Sequence, residues 1–563
     1  MILDVSFLYH LAIKNKEKVH LEIQSSRKNV VGVIRSTYWD PEDKKIKHKN
    51  YGRIKGKTLA QLKNIQAAMR EEAFSAQSVE IINSCEFGAT AAIRMLIEEL
   101  GLSKAMYSRK EQWVEDVIAM IAGKLTYQSS KLGLCNLHEV SSVWKQAGVM
   151  TRPDVEKHCY EPMDRLLGRQ RSIQKRLFEQ SAETSVILYD ITSTYFEGQY
   201  EDSELVRFGY NRDGKKGKKQ VVVGLVCNRE GCPLAVEIFP GNTKDETTVS
   251  QKIEELQKVY GIQKVLFVGD KGMLTSTSLD DYDKSDSIDT ITSLTHYQIQ
   301  ELLSKEVLEL ELFDQQKIHE VRDPDNPQIR YCVCYNPVRE QENQLTRERL
   351  IELTEARLNE IADYKRSTKV EVLGSRVGKA LQKYKMGRFV KWEIAPGESK
   401  SSAEHQLNWS WDQEKLAATA KIDRYFVIRT TQEDMSKEDV VNTYKSLSHV
   451  EQAFRNLKHA SIEIRPIWHR KDERIRSHIF LCMLAYHVQW HMMQRLKPLL
   501  DNDGKHAQRQ WSLESIIETL KALTVNTVKL ADTEYLILAS PTDSQSKILN
   551  LLGIKNIATA LKW

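Results

Sequence analysis

The sequence predicts an α/β protein: a mixed sheet with flanking helices, interrupted by a large insertion and preceded by a mixed, mostly helical N-terminal region. Three observations predict it. A β-branched and aromatic run, 185–196, carries Asp190 in its middle. Two more strand-like runs, a helical stretch and a fourth apolar run ending in Asp270 follow in order. Far downstream, a helical pattern over 444–458 sets Glu451 among a phenol and cations.

Residues 1–80 mix short strands with a basic turn, Lys44–Lys57, where cations alternate with Tyr51 and glycines. That run suits a DNA backbone or a solvated loop. Residues 85–180 repeat the helical apolar period, with Ala91–Leu100 stopped by Gly101 and a second helix over Val114–Ala122. After the Asp190 strand comes a cationic turn, Asn211–Lys219, then strands at Gln220–Cys227 and Pro233–Phe239 joined at Asn228–Gly231. A helix follows from Lys244 to Tyr260, capped by Thr243, and the Asp270 strand comes next. The stretch from about 290 to 424 interrupts the sheet. It holds a charged helix from Arg339 to Tyr364 and strand-like pieces at Phe389–Ile394 and Leu407–Trp411, and Arg424–Arg429 rejoins the sheet. Ile479–Val488 reads as a core helix, too short and His-rich to span a bilayer. The tail shows helical patterns at Leu513–Leu523 and Ile548–Leu561.

The acids carry the chemistry. An ionised carboxylate inside a buried strand is costly unless it is paired or binds a metal, so Asp190 is either a hydrogen-bonded strand residue or a ligand. Asp270 stands at the carboxyl end of a strand, where ligands gather in parallel sheets; an ordinary Asp-x-Gly turn is the alternative. On a 3.6-residue helix Tyr444, Glu451 and Lys458 fall on nearly one face, with Arg455 beside them. A Glu–Arg pair at that spacing also describes plain surface stabilisation. Three strands in hairpin succession, a helix and a fourth strand open an RNase H-like sheet. There the first and fourth strands lie adjacent and bring Asp190 and Asp270 together.

These pieces in order resemble a DDE transposase of a bacterial insertion sequence, in the insertion-sequence-four superfamily. The branch with a long N-terminal region and a large insertion before the catalytic glutamate fits best. The family's helix signature, Tyr-x2-Arg-x3-Glu-x6-Lys, is met by Tyr444, Glu451 and Lys458, whereas Leu447 stands at the arginine position. Tyr189-Asp190-Ile-Thr, Phe239-Pro-Gly-Asn242, Asp270-Lys-Gly-Met273 and Arg465-Pro-Ile-Trp-His469 add to the likeness.

The resemblance implies catalytic Asp190, Asp270 and Glu451 holding two Mg²⁺ ions, with Mn²⁺ able to substitute. It implies cleavage at the element's ends and strand transfer into target DNA by a homodimer assembled on terminal inverted repeats. Tyr444, Arg455 and Lys458 would orient phosphates, with Lys215, Lys216, Lys218 and Lys219 along the DNA. The insertion is implied to be β-rich and to shape DNA near the cut. Trp392, Trp409 or Trp411 stacks a flipped base there, or serves core packing. Five segments follow: an N-terminal DNA-binding region (1–180), the first part of the core (181–290), the insertion (291–423), the second part with the glutamate helix (424–495), and a helical tail suited to dimerisation (496–563). Two other functions stay open. One is a repurposed DNA-binding protein without catalysis, favoured by Leu447; the other is an RNase H-fold nuclease without strand transfer.

Composition sets the bounds. A chain of 563 residues is too long for one core, and its 41% hydrophobic share is ordinary for a globular protein. The net charge of +5 is mild, so cation clustering carries the nucleic-acid signal. Eight scattered cysteines without a CxxC pair read as free thiols in a reducing cytoplasm. Met1-Ile-Leu-Asp-Val-Ser lacks the basic-then-apolar pattern of a signal peptide, and no membrane segment is expected. His469, His478, His487 and His491 read as packing or surface residues rather than metal ligands.

Overall fold

The computed structural model describes residues 19–25, 30–55, 57–69, 79–181, 186–210, 212, 214–215, 217–262, 264–274, 276–308, 318–364, 369–396, 405–460, 462–500, 511–530 and 533–561. The chain divides into two compact units, Met1–Cys85 with Thr524–Ser540, and Glu86–Leu523 with Pro541–Trp563.

In the smaller unit β1 (Val19–Ser25), β2 (Val30–Asp40) and β3 (Lys45–Ile54) form an antiparallel meander. Helix Leu59–Met69 lays Leu62 on Leu21, Ile34 and Ile54. The cations expected on a turn run mostly along β3. The turn itself is residues 41–44, held by Asp40, whose Oδ1 accepts from the backbone N–H of Glu42 and Asp43. A second sheet pairs β4 (Val79–Glu86) with a hairpin, Thr524–Leu530 and Thr533–Leu538. The tail is therefore not all helical as its patterns suggest: in this hairpin Val525, Thr527 and Val528 stand opposite Leu538, Leu536 and Tyr535. The tail's helices are Leu513–Lys521 and Asp543–Leu551.

The larger unit is built on an eight-stranded mixed sheet. Its strands are β5 (Val186–Tyr195), β6 (Gln220–Cys227), β7 (Pro233–Pro240), β8 (Val265–Val268), β9 (Ile288–Ser293), β10 (Ile318–Arg322), β11 (Arg330–Tyr335) and β14 (Tyr425–Thr430). They lie in the order β10-β11-β14-β9-β8-β5-β6-β7. β5, β6 and β7 are antiparallel neighbours, and the tight Asn228–Gly231 turn, with Gly231 at φ +84°, joins β6 to β7. β5, β8 and β9 are parallel, and the crossover into β8 runs through helix Asp245–Lys258. That helix begins after Lys244, one residue beyond the expected cap Thr243.

β14 rejoins the sheet between β11 and β9. Among the described residues of 291–423, β10 and β11 extend the same sheet, and only β12 (Val390–Pro396) and β13 (His405–Trp411) form a separate hairpin. Helices Pro337–Ala362, Val370–Tyr384 and Gln413–Ile422 outweigh that hairpin, so the described part of the stretch is more helical than β-rich. The apolar stripe Leu373, Val377, Ala380 and Leu381 has helical spacing and packs with Leu358, Ile361, Val390 and Leu407.

Helix Asp472–Leu500 is the centre of the larger unit and is buried along most of its length. It packs on β7 and on helices Gln112–Tyr127 and Glu161–Gly168. The helices of 86–180 therefore share a core with the sheet, and the boundary expected at 180 lies inside one unit. Among the described residues no helix is long and apolar enough to cross a membrane.

Candidate active site

Strand β5 is buried except where it opens at Asp190, Thr192 and Tyr195. Side chains alternate along a strand, so Asp190 and Thr192 share one face. Tyr189 points to the other, where its ring lies 5.6 Å from that of Phe267. Ladder pairs Val186–Leu266, Ile187–Phe267 and Leu188–Val268 join β5 to β8. Asp190 and Asp270 each come two residues after the last pair, so continuing the register sets them opposite one another. Asp270 is exposed in the loop after β8, where its Oδ1 accepts from the Lys271 backbone at 2.7 Å.

Glu451 lies on helix Leu447–Arg455, whose buried stripe of Leu447, Val450, Ala453 and Phe454 packs on β5 and β6. Glu451 and Arg455 are left on the open flank. The expected single helix over 444–458 is instead three pieces. Tyr444 lies in the last turn of helix Lys437–Lys445, Ser446 makes the break, and Lys458 sits in a π-helical turn, Asn456–Ala460. The break has a cause: the Ser446 hydroxyl donates back to the Asn442 carbonyl at 3.0 Å, which bends helices. Only Glu451 and Arg455 keep the predicted one-helix relation. Tyr444 donates to Ser293 Oγ at 2.8 Å at the end of β9. Lys458 reaches β5 by another route, its Nζ donating to Thr192 Oγ1 at 2.6 Å.

Burial pushes the Asp190 carboxyl up to about 6. The negative charges of Glu451 and Asp270 push the same way, while the Ile191 N–H and Arg212 oppose them. Asp190 therefore feels both other acids. Even so, the three carboxylates do not form a tight ligand cluster: among the described residues the one group with metal-ligand atoms gathered within 4.8 Å is elsewhere.

The cationic turn is only partly available. Lys218 is ion-paired with Glu197, and Lys219 donates to the carbonyls of Gln199 and Tyr200. Lys215 is exposed, and Lys216 lies outside the described residues. Trp392 is 42% exposed on β12. Trp409 and Trp411 are half-buried against the core of the insertion, and Trp411 donates to Glu355 at 2.7 Å.

Residues 181–488, more than half of the chain, match the sequence family described as Transposase DDE domain. The chain belongs to that family. Among curated proteins none matches it. The matched span of this transposase runs from just before β5 to the middle of the central helix, and so contains all three acids.

Arg212, Phe208 and Tyr210 lie near the transposase's acids or its cationic turn without a motif that marks them, and a groove nearby gathers residues of two motifs. Arg212 reads in sequence only as one cation in a turn, yet its charge acts on Asp190 and its backbone N–H donates to Ser193 Oγ at 3.0 Å. Beyond Tyr195 opens a groove of about 400 Å³ lined by Glu197, Lys458, Glu463, Arg465 and Trp468. Arg465 stacks 4.7 Å over the Tyr195 ring, and Trp468 is 70% exposed. The sequence signals for the groove are the Arg465–His469 motif and Lys458 of the helix signature. Phe208 and Tyr210, 61% and 83% exposed, flank the cationic turn and carry no motif that marks them.

Proposed function

We propose that this transposase cuts DNA at the ends of its element and joins the freed 3′-ends to target DNA, using Asp190, Asp270 and Glu451 on an RNase H-like core of the insertion-sequence-four type. The observation that carries the reading is the parallel β5–β8 register, with an aspartate two residues beyond the last pair on each strand. Support also comes from the strand order β7-β6-β5-β8-β9, three antiparallel strands followed by parallel partners, and from the influence of Glu451 on Asp190.

Three carboxylates are hard oxygen donors, and a half-buried acid crowded by two like charges is relieved by a divalent cation. Asp190, Asp270 and Glu451 are thus the residues to hold Mg²⁺, with Mn²⁺ as a substitute. Bound divalent ions supply the neutralisation of charge that builds on the phosphate oxygens during phosphoryl transfer. The chain's own groups hold and orient the DNA. Lys458, tethered at Thr192, presents a cation two residues along the strand from Asp190. Arg455, one helical turn beyond Glu451, and Lys215 serve the backbone, as electrostatic contacts without sequence preference. Tyr444 ties the helix that leads into the glutamate helix to the end of β9 through Ser293. Ser193 is buried and accepts from the Arg212 backbone, so it is no nucleophile. Two ends handled together call for two protomers, acting on DNA in the cytoplasm.

The test uses end-sequence DNA in Mg²⁺. Asp190→Ala is expected to abolish cleavage while binding stays unchanged or tightens slightly, because one negative charge facing phosphates is gone. An Asp190→Ala protein that nicks the DNA at the normal rate rules the assignment out.

A further inference from the structure

Outside the candidate active site, one cluster brings together side chains that no single stretch of sequence contains. Cys232 ends the β6–β7 turn, and His487 and His491 lie one helical turn apart on the central helix. The Cys232 sulfur is 3.5 Å from His487 Nδ1 and 3.9 Å from His491 Nε2, and all three donor atoms lie within 4.8 Å of one another. Tetrahedral zinc, with Zn–S about 2.3 Å and Zn–N about 2.05 Å, requires an S···N edge of about 3.6 Å. The observed separations bracket that value. Cys232 and His487 are buried and His491 is half-buried, which leaves one side open to a fourth ligand such as water.

We propose that Cys232, His487 and His491 bind a transition metal ion of the zinc class, pinning the β6–β7 turn to the central helix. One thiolate and two imidazoles are the donor set that zinc and cobalt(II) prefer, and magnesium and calcium do not. Metal binding takes both imidazoles in their neutral form and the cysteine as thiolate. The Cys232 thiol gives its proton to solvent when the metal–sulfur bond forms. His487 Nδ1 also donates to the Pro233 carbonyl at 2.9 Å; metal binding breaks that hydrogen bond, moves the ring proton to Nε2 and turns the Nδ1 lone pair to the metal.

The turn so fixed supports the glutamate helix. His449, on the first turn of that helix, contacts the Arg229 carbonyl through Nδ1 at 3.1 Å, and a methyl group added at Gly231 would meet His449 Cβ at 2.6 Å. On its other side Trp490 Nε1 donates to the Glu230 carbonyl at 3.3 Å. A metal here is structural, and it braces the platform under the glutamate helix.

The full chain, stripped with chelator and titrated with cobalt(II), is expected to develop a near-ultraviolet thiolate-to-cobalt band and the strong visible bands of a tetrahedral ion. One equivalent of zinc erases them and excess Mg²⁺ does not. Asp190→Ala keeps the spectrum, because a carboxylate site has no sulfur. Cys232→Ala loses the charge-transfer band, and His491→Gln weakens metal affinity by about 100-fold or more. If Cys232→Ala does not fold, His491→Gln, altered at the half-buried ligand, decides the matter. A folded wild-type chain with no thiolate–cobalt band, or a band unchanged in these variants, overturns the proposal and leaves a metal-free hydrogen-bonded cluster.

Discussion

Replacing Asp190 by Asn should stabilise the metal-free protein, and by an amount that depends on pH. The Asp190 carboxyl titrates near 6 in the folded chain against an ordinary value of 3.8. At about 1.36 kcal/mol per pH unit that difference is about 3 kcal/mol, and partial solvation of the side chain brings the expectation to about 1–3 kcal/mol. The sign follows from which state holds the proton. Below about pH 4 the group is protonated in both states and costs nothing. Between about pH 4 and 6 the unfolded chain ionises first, so stability falls as pH rises. Above about pH 6 both states are charged and the full penalty stands. The amide of the Asp190→Asn variant never ionises. Thermal or urea denaturation should therefore give equal stabilities near pH 4 and a gap in favour of Asp190→Asn by pH 7. Mg²⁺ at tenfold its dissociation constant should then add about 1.4 kcal/mol to the wild-type protein and little to the variant. A gap that does not change with pH, or equal protection of both proteins by Mg²⁺, refutes the crowded-acid account.

Leu447→Arg should destabilise by about 2–4 kcal/mol in urea unfolding, because Leu447 belongs to the buried stripe of the glutamate helix; a stable variant with improved cleavage would mean that the position faces DNA. Arg455→Ala should weaken end binding and flatten the slope of log K against log salt by about 0.9, and an unchanged salt series removes Arg455 from the interface. Trp468→Ala should cost about 1–3 kcal/mol in binding to DNA with unpaired ends, as loss of one stacked base does, while leaving fully paired DNA bound as before; equal losses on both substrates count against stacking.

How much is legible in the sequence depends on the range of the forces involved. The β5 to β8 succession, its tight turns and the crossover helix are local consequences of β-branched runs, Gly231 and an amphipathic stretch, so they can be read directly. Asp190 and Asp270 are identified by what surrounds them in the chain, an acid within an apolar strand and an acid ending one. What sequence cannot supply is register between strands far apart, and the parallel β5–β8 ladder alone brings side by side two strands that each carry an aspartate two residues beyond the last pair. Nor does it show that Ser446 breaks the helix, because back-bonding by a serine competes with helix continuation through geometry that helical spacing does not encode. Lys458 thus reaches Thr192 from a π turn rather than from the face shared with Glu451. The insertion departs from the β-rich expectation because the helix Val370–Tyr384 draws its stability from packing on Leu358 and Ile361. Cys232, His487 and His491 make the same point most sharply: a cysteine separated from its histidines by 255 and 259 positions becomes their neighbour only when β7 packs on the central helix. Local chemistry chose the elements of this transposase, and long-range packing, which alone fixes register and juxtaposition, decided which side chains meet.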